Sequence, residues 1–198
     1  MLDAKYKKIN EKLKKTSIGI AGLGGLGSNV AISLARAGIG RLVLVDFDIV
    51  EKTNLNRQYY FLDQVGKKKT LSTKENIRRV NPTIDIQTFD EKLIKGQMEK
   101  RFTDVDIVIE ALDNAVTKTN LIEEILTKLP NKKIISASGV SGYGNSDRIK
   151  TSKLGNLFLC HDEEALSSEK DVLTAPKVAL IANWQANIAL ELILGDKL

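Results

Sequence analysis

The chain has 198 residues, of which 42% are hydrophobic and 28% are charged, and its formal net charge is +5. This length and this balance of hydrophobic and charged residues favour one folded domain over a disordered chain. The sequence contains no apolar run of about 18 residues, so a membrane-spanning helix is not expected. One cysteine excludes an intramolecular disulfide, and the absence of an apolar signal segment at the N terminus favours a cytoplasmic location.

The first predicted element is a basic helix or arm over residues 1–16. It carries six lysines but only two acids, Asp3 and Glu11. Such a run of charge is typical of a solvated helix, and contact with an anion is the alternative. Because aromatic residues make up only 5% of the chain and do not alternate with basic ones, nucleic-acid binding is not expected.

A glycine-rich turn lies between the first predicted strand, residues 17–21, and a predicted helix at 28–37. In that context the first glycine permits a tight turn, the next lets the backbone approach a phosphate, and the last lets helix and strand pack closely. The N–H groups at the start of the helix also attract an anion. A glycine turn without a ligand is the alternative. We predict that Gly22, Gly24, Gly25 and Gly27 belong to the nucleotide-binding site.

Asp46 ends the second predicted strand, residues 41–46, and lies nineteen residues beyond Gly27. An acid in this position can accept hydrogen bonds from ribose hydroxyls. The glycines and this acid would also suit an NAD(P)-dependent oxidoreductase. Such an enzyme gives Asn54 and Arg57 no role, whereas an enzyme that attacks the α-phosphate of ATP has a use for them.

Strands and helices continue to alternate along the chain. Further strands are predicted at 84–89, 107–111 and 133–137, and helices at 69–80, near 97–102 and at 115–129. This alternation predicts a Rossmann-like α/β fold, with a mostly parallel sheet, right-handed crossovers and helices on both faces.

The last third of the sequence has a different pattern. Two antiparallel strands are predicted at 148–151 and 156–160, and a long apolar helix is predicted at 178–194. We therefore divide a single domain into three parts. These are an N-terminal arm (1–16), a nucleotide-binding core (17–145) and an antiparallel C-terminal extension (146–198).

Seven short motifs occur in register between residues 17 and 115. They lie at residues 22–27, 37–40, 46–48, 54–58, 65–69, 81–82 and 113–114. Together these motifs resemble the ThiF/MoeB/HesA superfamily, whose members are like ubiquitin-activating enzymes. The chain is most similar to the short ThiF-type branch, and the similarity weakens towards the C terminus.

The resemblance implies a reaction and a partner. With ATP and Mg²⁺, the chain would adenylate the C-terminal glycine of a ThiS-like, ubiquitin-like sulfur-carrier protein, releasing pyrophosphate in thiamine biosynthesis. It would act as a homodimer. Longer relatives hold structural zinc with two Cys-x-x-Cys pairs, so a chain with one cysteine is expected to lack that zinc. They also lend an N-terminal arginine to the partner subunit. Here Lys7, Lys8 or Lys12 would replace that arginine, or the site would work without it.

The resemblance also assigns catalytic roles to Arg57, Lys69 and Asp113. The planar guanidinium of Arg57 can hold two phosphate oxygens, and Lys69 could reach the phosphates from the start of a helix. Asp113 would hold Mg²⁺ at the end of a strand. The other predicted nucleotide ligands, beside the four glycines, are Asp46, Asp48, Thr53, Asn54, Gln58 and Asn114.

Several of these residues have simpler explanations. Lys69 follows two other lysines and could belong to a solvated run, Asp113 could cap the next helix, and Asp48 could only brace its loop. Arg57 could be an ordinary surface arginine. Cys160 is a possible thiol for taking over the activated carrier, as in some relatives, but its apolar neighbours favour a small buried residue.

Other functions stay open beside this one. The same fold could adenylate another acid, such as a molybdopterin-synthase carrier, a modified tRNA nucleoside or a peptide. A non-catalytic carrier-binding protein and an NAD(P)-dependent oxidoreductase are the remaining alternatives.

Overall fold

Strands and helices alternate in the computed structural model, which describes residues 2–165 and 170–195. The strands are β1 (Ser17–Ala21), β2 (Arg41–Asp46), β3 (Asp85–Asp90), β4 (Ile107–Glu110), β5 (Lys133–Ser138), β6 (Lys150–Leu154) and β7 (Leu157–His161). The α-helices are α1 (Leu2–Lys14), α2 (Gly25–Ala37), α3 (Lys69–Val80), α4 (Ala115–Lys128) and α5 (Ala175–Leu194). Within these residues, no helix combines the length and the apolar character that crossing a bilayer requires.

The strands form one sheet in the order β3-β2-β1-β4-β5-β7-β6. Every neighbouring pair is parallel except β6 and β7, which form an antiparallel hairpin. Because β7 also pairs in parallel with β5, the hairpin extends the main sheet. β6 is the outer edge, and all of its residues are exposed. The predicted Rossmann-like fold, mostly parallel with an antiparallel extension, is confirmed. The division into three parts stays a prediction, and residues 1, 166–169 and 196–198 lie outside the described ranges.

Side chains along the central strands alternate between two cores. On β2, Leu42 and Leu44 belong to the core that α2 and α5 cover, whereas Val43 and Val45 belong to the core beneath α4 and the 3-10 turn Met98–Phe102. Burial on both faces is the reason that strands of a parallel sheet read as apolar runs. Each of these side chains, almost fully buried, stabilises the fold by roughly 1.5–3 kcal/mol.

The main differences from the predicted elements are at two helix starts and at β6, which runs over Lys150–Leu154 instead of the predicted 148–151. α2 begins at Gly25 and α5 at Ala175, each three residues before the predicted start. Glycine and proline both lower helix propensity in an interior, which favours a later start from sequence alone. In the first turn these residues cost little, because a proline there lacks only an N–H that would have no partner within the helix. The predicted short helix near 97–102 is a 3-10 turn, Met98–Phe102.

Candidate functional site

A cavity of about 410 Å³ opens where β1, β2 and β4 end. β1 lies between β2 and β4, so the chain runs outwards from β1 on both sides, and ligands of open parallel sheets bind at such a point. The cavity is lined by most of the residues predicted from sequence. These are Gly22, Gly24, Gly25, Asp46, Asp48, Arg57, Gln58, Lys69, Asp113 and Asn114. The fold therefore brings together residues that are up to 92 positions apart in the chain, from 22 to 114.

The glycine turn combines a packing role with an open face. Gly22 has a φ of +90°, and a Cβ on Gly27 would lie only 1.9 Å from the carbonyl oxygen of Gly22. Gly27 therefore serves close packing, as predicted, but it does not line the cavity. Around a Cβ on Gly24, the nearest atom is the Nε2 of Gln58, 3.8 Å away. Gly24 is also the N-cap of α2 and no side chain caps that helix, so the first N–H groups of α2 suit an anion.

Asp46 supports the glycine turn from below. Its side chain is almost buried, and it accepts hydrogen bonds from the backbone N–H groups of Leu23 (2.6 Å) and Asp48 (2.7 Å). The hydroxyl of Tyr60 donates to the carbonyl of Leu23 at 2.8 Å, so Leu23 is held through both its N–H and its carbonyl group. Burial raises the pKa of the Asp46 carboxyl, although the two N–H groups oppose that rise. Each carboxylate oxygen keeps a second lone pair and can still accept a hydrogen bond from a ribose hydroxyl. That contact stays a prediction.

Lys69 differs from the two lysines that precede it. Its side chain is 7% exposed, against 50% for Lys67, and its Nζ donates to Asp48 Oδ2 at 2.8 Å. The structure therefore contradicts the solvated-run explanation for Lys69. Asp48 also accepts the backbone N–H of Lys69 on its carbonyl, so it braces the loop and lines the cavity at once.

Arg57 is a cation without an acidic partner among the described residues. Its Nη1 donates to the carbonyl of Thr53 at 3.2 Å and to Oδ1 of Asn56 at 2.8 Å. These neutral contacts leave its charge available to an anion in the cavity. Gln58 follows it and is buried, and its Oε1 has no hydrogen-bond partner within the described residues. A buried acceptor of this kind calls for a donor, which a ligand in the cavity can supply.

Thr53 and Asn54 do not line the cavity, although sequence reasoning predicted them as nucleotide ligands. Asn54 Oδ1 accepts the backbone N–H of Glu51 at 3.0 Å, and the Thr53 hydroxyl contacts the Glu51 carboxylate at 3.2 Å. Both side chains thus shape the loop that carries Arg57. Polar residues beside a ligand loop are easily mistaken for ligands, because sequence does not tell local hydrogen bonds from distant ones.

Asp113 and Asn114 divide two roles between them. Asn114 is the N-cap of α4, since its Oδ1 accepts the backbone N–H of Thr117 at 3.0 Å. The alternative in which Asp113 caps that helix is therefore wrong. Asp113 is exposed, lines the cavity and makes no hydrogen bond or ion pair with the rest of the described chain.

The acids of the described chain do not form a dedicated metal cage, because no group of three or more His, Cys, Asp or Glu side chains converges there. A single free carboxylate at the cavity instead suits Mg²⁺ that takes most of its ligands from phosphates and water. The donor set thus fits a nucleotide-bound Mg²⁺ through Asp113.

Sequence reasoning missed other cavity residues. They are Leu26, Val45, Phe47, Glu91, Lys92, Leu93, Ala111, Leu112, Thr117, Val140, Leu173 and Val178. Among them Lys92 adds a third cation beside Arg57 and Lys69, with its Nζ 5.5 Å from the centre of the Phe47 ring. It follows the predicted strand 84–89, and its place after a strand of the same sheet was a usable signal. Leu173 and Val178 come from the C-terminal part of the chain, and no local pattern places them there.

Cys160 is fully buried on β7, and burial raises the pKa of its thiol to about 12. The neighbouring His161 cannot act on it as a base, because adjacent strand residues point to opposite faces. Instead, Nε2 of His161 lies 2.7 Å from the hydroxyl of Ser152. These observations favour a structural thiol.

The N-terminal lysines are not equivalent. Lys12 Nζ donates to the carbonyl of Leu194 at the end of α5, 3.1 Å away, so it is engaged within its own chain. Lys7 and Lys8 are exposed on α1. Their contribution to a partner subunit stays a prediction.

The sequence matches the ThiF family model over residues 3–198. It is 31% identical to the adenylyltransferase and sulfurtransferase UBA4 of Candida glabrata over 191 residues, which cover 93% of this chain and 44% of that protein. It is 32% identical to the ubiquitin-like modifier-activating enzyme 5 of Dictyostelium discoideum over 147 residues, which cover 67% of this chain and 39% of that protein. The chain thus spans less than half the length of these curated relatives.

Solved structures share the fold. The E. coli tRNA N6-threonylcarbamoyladenosine dehydratase, TcdA, in complex with ATP has a TM-score of 0.87 at 23% identity, with 95% of this chain and 89% of that chain covered. The E. coli MccB structure with ATP has a TM-score of 0.75 at 25% identity, with 93% of this chain and 57% of that chain covered.

Proposed function

Because the chain belongs to the ThiF family, we propose that it is an adenylyltransferase that activates a carboxylate with ATP. The observation that carries this proposal is the single cavity that joins the glycine turn to Arg57, Lys69 and Asp113. A hydride-transferring enzyme would need the turn and Asp46 but has no use for these charges. The related proteins that are named as adenylyltransferase or as modifier-activating enzyme support the same reaction class.

In the proposed reaction, a substrate carboxylate oxygen bonds to the α-phosphorus of ATP while the bond to the β-phosphate bridging oxygen breaks. Pyrophosphate leaves and an acyl adenylate remains. Negative charge is then spread over attacker, phosphoryl oxygens and leaving group, so positioned positive groups supply most of the stabilisation. The N-terminal N–H groups of α2, the guanidinium of Arg57 and the ammonium of Lys69 are suited to this task.

Lys69 is held ready by Asp48 until a phosphate arrives. The Asp48 side chain is 45% exposed, so a phosphate can share or take over the ammonium without exposing Lys69 to bulk water. Asp113 would hold Mg²⁺, which would neutralise phosphate charge. Gln58 offers its unpaired buried oxygen to a donor on the nucleotide.

The acid substrate that we favour is the C-terminal glycine of a ThiS-like, ubiquitin-like sulfur carrier, with the enzyme acting as a homodimer in thiamine biosynthesis. The motifs in residues 22–114 support this substrate by their resemblance to the short ThiF branch. The name of the Dictyostelium relative points to the same class of small protein substrate.

A modified tRNA nucleoside is a second candidate acid, because one surface feature favours a polyanion. A groove on the outer face of α3 is lined by Lys74, Arg78 and Arg79, together with Leu71 and Glu75. TcdA, named as a tRNA N6-threonylcarbamoyladenosine dehydratase, has the same fold over 89% of its chain. Binding of tRNA that weakens steeply with salt would support this candidate.

Exchange of radiolabelled pyrophosphate into ATP tests the proposed function. We expect exchange with Mg²⁺ and a purified ThiS-like carrier ending in Gly-Gly, and none when that terminal glycine is amidated. Exchange with tRNA in place of the carrier would favour the second candidate. ATP binding without exchange for any acid would contradict the proposed reaction. Stabilisation of the fold by NAD but not by ATP with Mg²⁺ would favour the oxidoreductase.

A further inference from the structure

A buried carboxylate, paired with a partly exposed lysine, supports the turn that carries Asp113. Glu110, the last residue of β4, is fully buried. Its Oε2 accepts hydrogen bonds from Lys118 Nζ and from the hydroxyl of Ser136. Its Oε1 accepts the backbone N–H of Leu112 at 2.7 Å. Both carboxylate oxygens are therefore satisfied, as a buried charge requires.

The pair lies where backbone pairing between β4 and β5 stops. The register of these strands ends with Ile109 opposite Ile135. Past that point, Gln185 of α5 bridges the two strands, with its Nε2 donating to the carbonyls of Glu110 (3.0 Å) and Ile135 (3.3 Å). Side chains therefore take over from the sheet in holding the open strand ends beside the cavity.

Lys118 extends this support to the start of α4. It donates to the carbonyl of Ala137 on β5 at 3.0 Å as well as to Glu110. It lies one turn into the helix that Asn114 caps. Asp113 thus lies between two fixed points, the N–H group of Leu112 and the N-cap. Its carboxylate makes no contact of its own with the described residues that would hold it in place.

We propose that Glu110 is a positioning residue that acts through Asp113. With Lys118 it fixes the turn so that the free carboxylate meets the Mg²⁺ of a bound nucleotide. This inference rests on the proposed function, in which Asp113 holds that ion. Its physical basis is that a metal-ligating carboxylate depends on the groups that orient it, and loss of such a group typically costs about 10–100-fold in metal affinity.

The test uses Glu110→Gln, which keeps the shape and an acceptor for Leu112 but removes the charge. ATP binding is measured by calorimetry at increasing Mg²⁺. We expect the Mg²⁺ concentration for half-maximal enhancement of ATP binding to rise about tenfold. ATP affinity without Mg²⁺ should change less than about twofold, because Glu110 does not line the cavity. Adding Glu110→Gln to Asp113→Asn should change nothing further, since both act through one group.

Glu124→Gln is the matched control. Glu124 is also buried and accepts two backbone N–H groups, from Gly96 and Met98, and a lysine, Lys128, but it lies away from the cavity. The Glu124→Gln substitution should lower the melting temperature and leave the Mg²⁺ dependence of ATP binding unchanged. If Glu110→Gln does not fold, Ser136→Ala removes one of the three hydrogen bonds to Glu110 and should shift the Mg²⁺ dependence by about threefold.

Two results would overturn the positioning role. One is a Glu110→Gln protein whose ATP affinity falls equally with and without Mg²⁺. The other is an equal Mg²⁺ shift in Glu124→Gln, which would show a general loss of structure. A wild-type protein that binds ATP with no response to Mg²⁺ would instead contradict the proposed function at Asp113, and with it this inference.

Discussion

Two lysine–aspartate pairs in this chain share their construction but differ in exposure. Lys69 is the first residue of α3, and Lys177 lies in the first turn of α5. Lys69 donates to Asp48 at 2.8 Å and Lys177 to Asp162 at 2.7 Å. The Asp48 side chain is 45% exposed at the cavity, whereas the Asp162 side chain is only 6% exposed.

This difference separates a pair that can change partners from one that cannot. A cation at a helix N-terminus is opposed by the helix dipole, so each lysine depends on its acid. A phosphate can approach Lys69 because its acid is accessible. Asp162 and Lys177 are sealed and hold the start of α5 against the end of β7. The same local chemistry supports ligand binding in one place and stability in the other, and accessibility decides between them.

Substitution of Lys69 should give the largest effect on the reaction. Lys69→Met is expected to slow pyrophosphate exchange by about 10²–10³-fold, because it removes one positioned charge from the phosphates. Lys67→Met is the matched control, since that lysine is 50% exposed and outside the cavity. A loss below about threefold in Lys69→Met would exclude Lys69 from the catalytic set.

Substitution of Lys177 should affect stability and spare the reaction. Lys177→Met leaves the Asp162 charge buried and unpaired, which is expected to lower the free energy of unfolding by about 3–5 kcal/mol. Urea unfolding followed by the fluorescence of Trp184, the single tryptophan, measures this change. Asp162→Asn in the same chain should restore part of the loss. A fall in exchange rate for the folded Lys177→Met protein, as large as for Lys69→Met, would erase the contrast between the pairs.

Acid should weaken the sealed pair selectively. The hydrogen bond from Lys177 lowers the pKa of Asp162 below its ordinary value of 3.8, although burial opposes this. Its contribution to stability is complete above that ordinary value and is lost as pH falls through the lower folded value. The free energy of unfolding of the wild type should therefore drop faster below about pH 4 than that of Lys177→Met. Parallel pH profiles for the two proteins would contradict this assignment.

A second carboxylate, Glu124, also contributes to the loss of stability in acid and must be separated from Asp162. The pKa of Glu124 falls to about 2, because burial is outweighed by the Gly96 N–H, Lys128 and the other donors around it. Protonation of Glu124 therefore also lowers the free energy of unfolding in acid, and it does so equally in the wild type and in Lys177→Met. The difference between the two proteins isolates Asp162.

Substitution of the buried Cys160 should have the smallest effect on the reaction. Burial raises its pKa from 9.0 to about 12, which lowers the thiolate fraction near neutral pH by about 10³. Alkylation by iodoacetamide should be correspondingly slow in the native protein and fast in urea, as mass spectrometry would show. Cys160→Ala should leave pyrophosphate exchange intact. Rapid labelling of the folded protein would return Cys160 to the list of candidate nucleophiles.

Sequence predicted the parts of the site that depend on local pattern. The glycine turn, Asp46 and the helix that starts at Lys69 each follow from spacing along a few residues, and the structure places all of them at one cavity. The fold class followed from the alternation of strands and helices. The motif resemblance predicted that Arg57 and Asp113 belong to the site. The structure places both at the cavity, and their catalytic roles stay predictions.

Sequence could not assign roles that depend on contacts between distant elements. Thr53 and Asn54 form hydrogen bonds within their own loop and do not line the cavity, which local sequence does not reveal. Asn114 rather than Asp113 caps α4, a choice between neighbours that propensity does not resolve. The support beneath Asp113 joins side chains of β4, α4 and β5, and no periodicity links Glu110 to Ser136.

The exposed outer strand β6 has a consequence for self-association. An open sheet edge offers unpaired backbone groups to another chain, which is a route to aggregation. β6 carries Lys150 and Lys153 along its length, and Lys153 lies over the Phe158 ring, with its Nζ 5.5 Å from the ring centre. Two copies that met through this strand would bring lysines close together without acids on the strand to offset them. The edge that completes the sheet is thus protected against fibre-like pairing by its own charges.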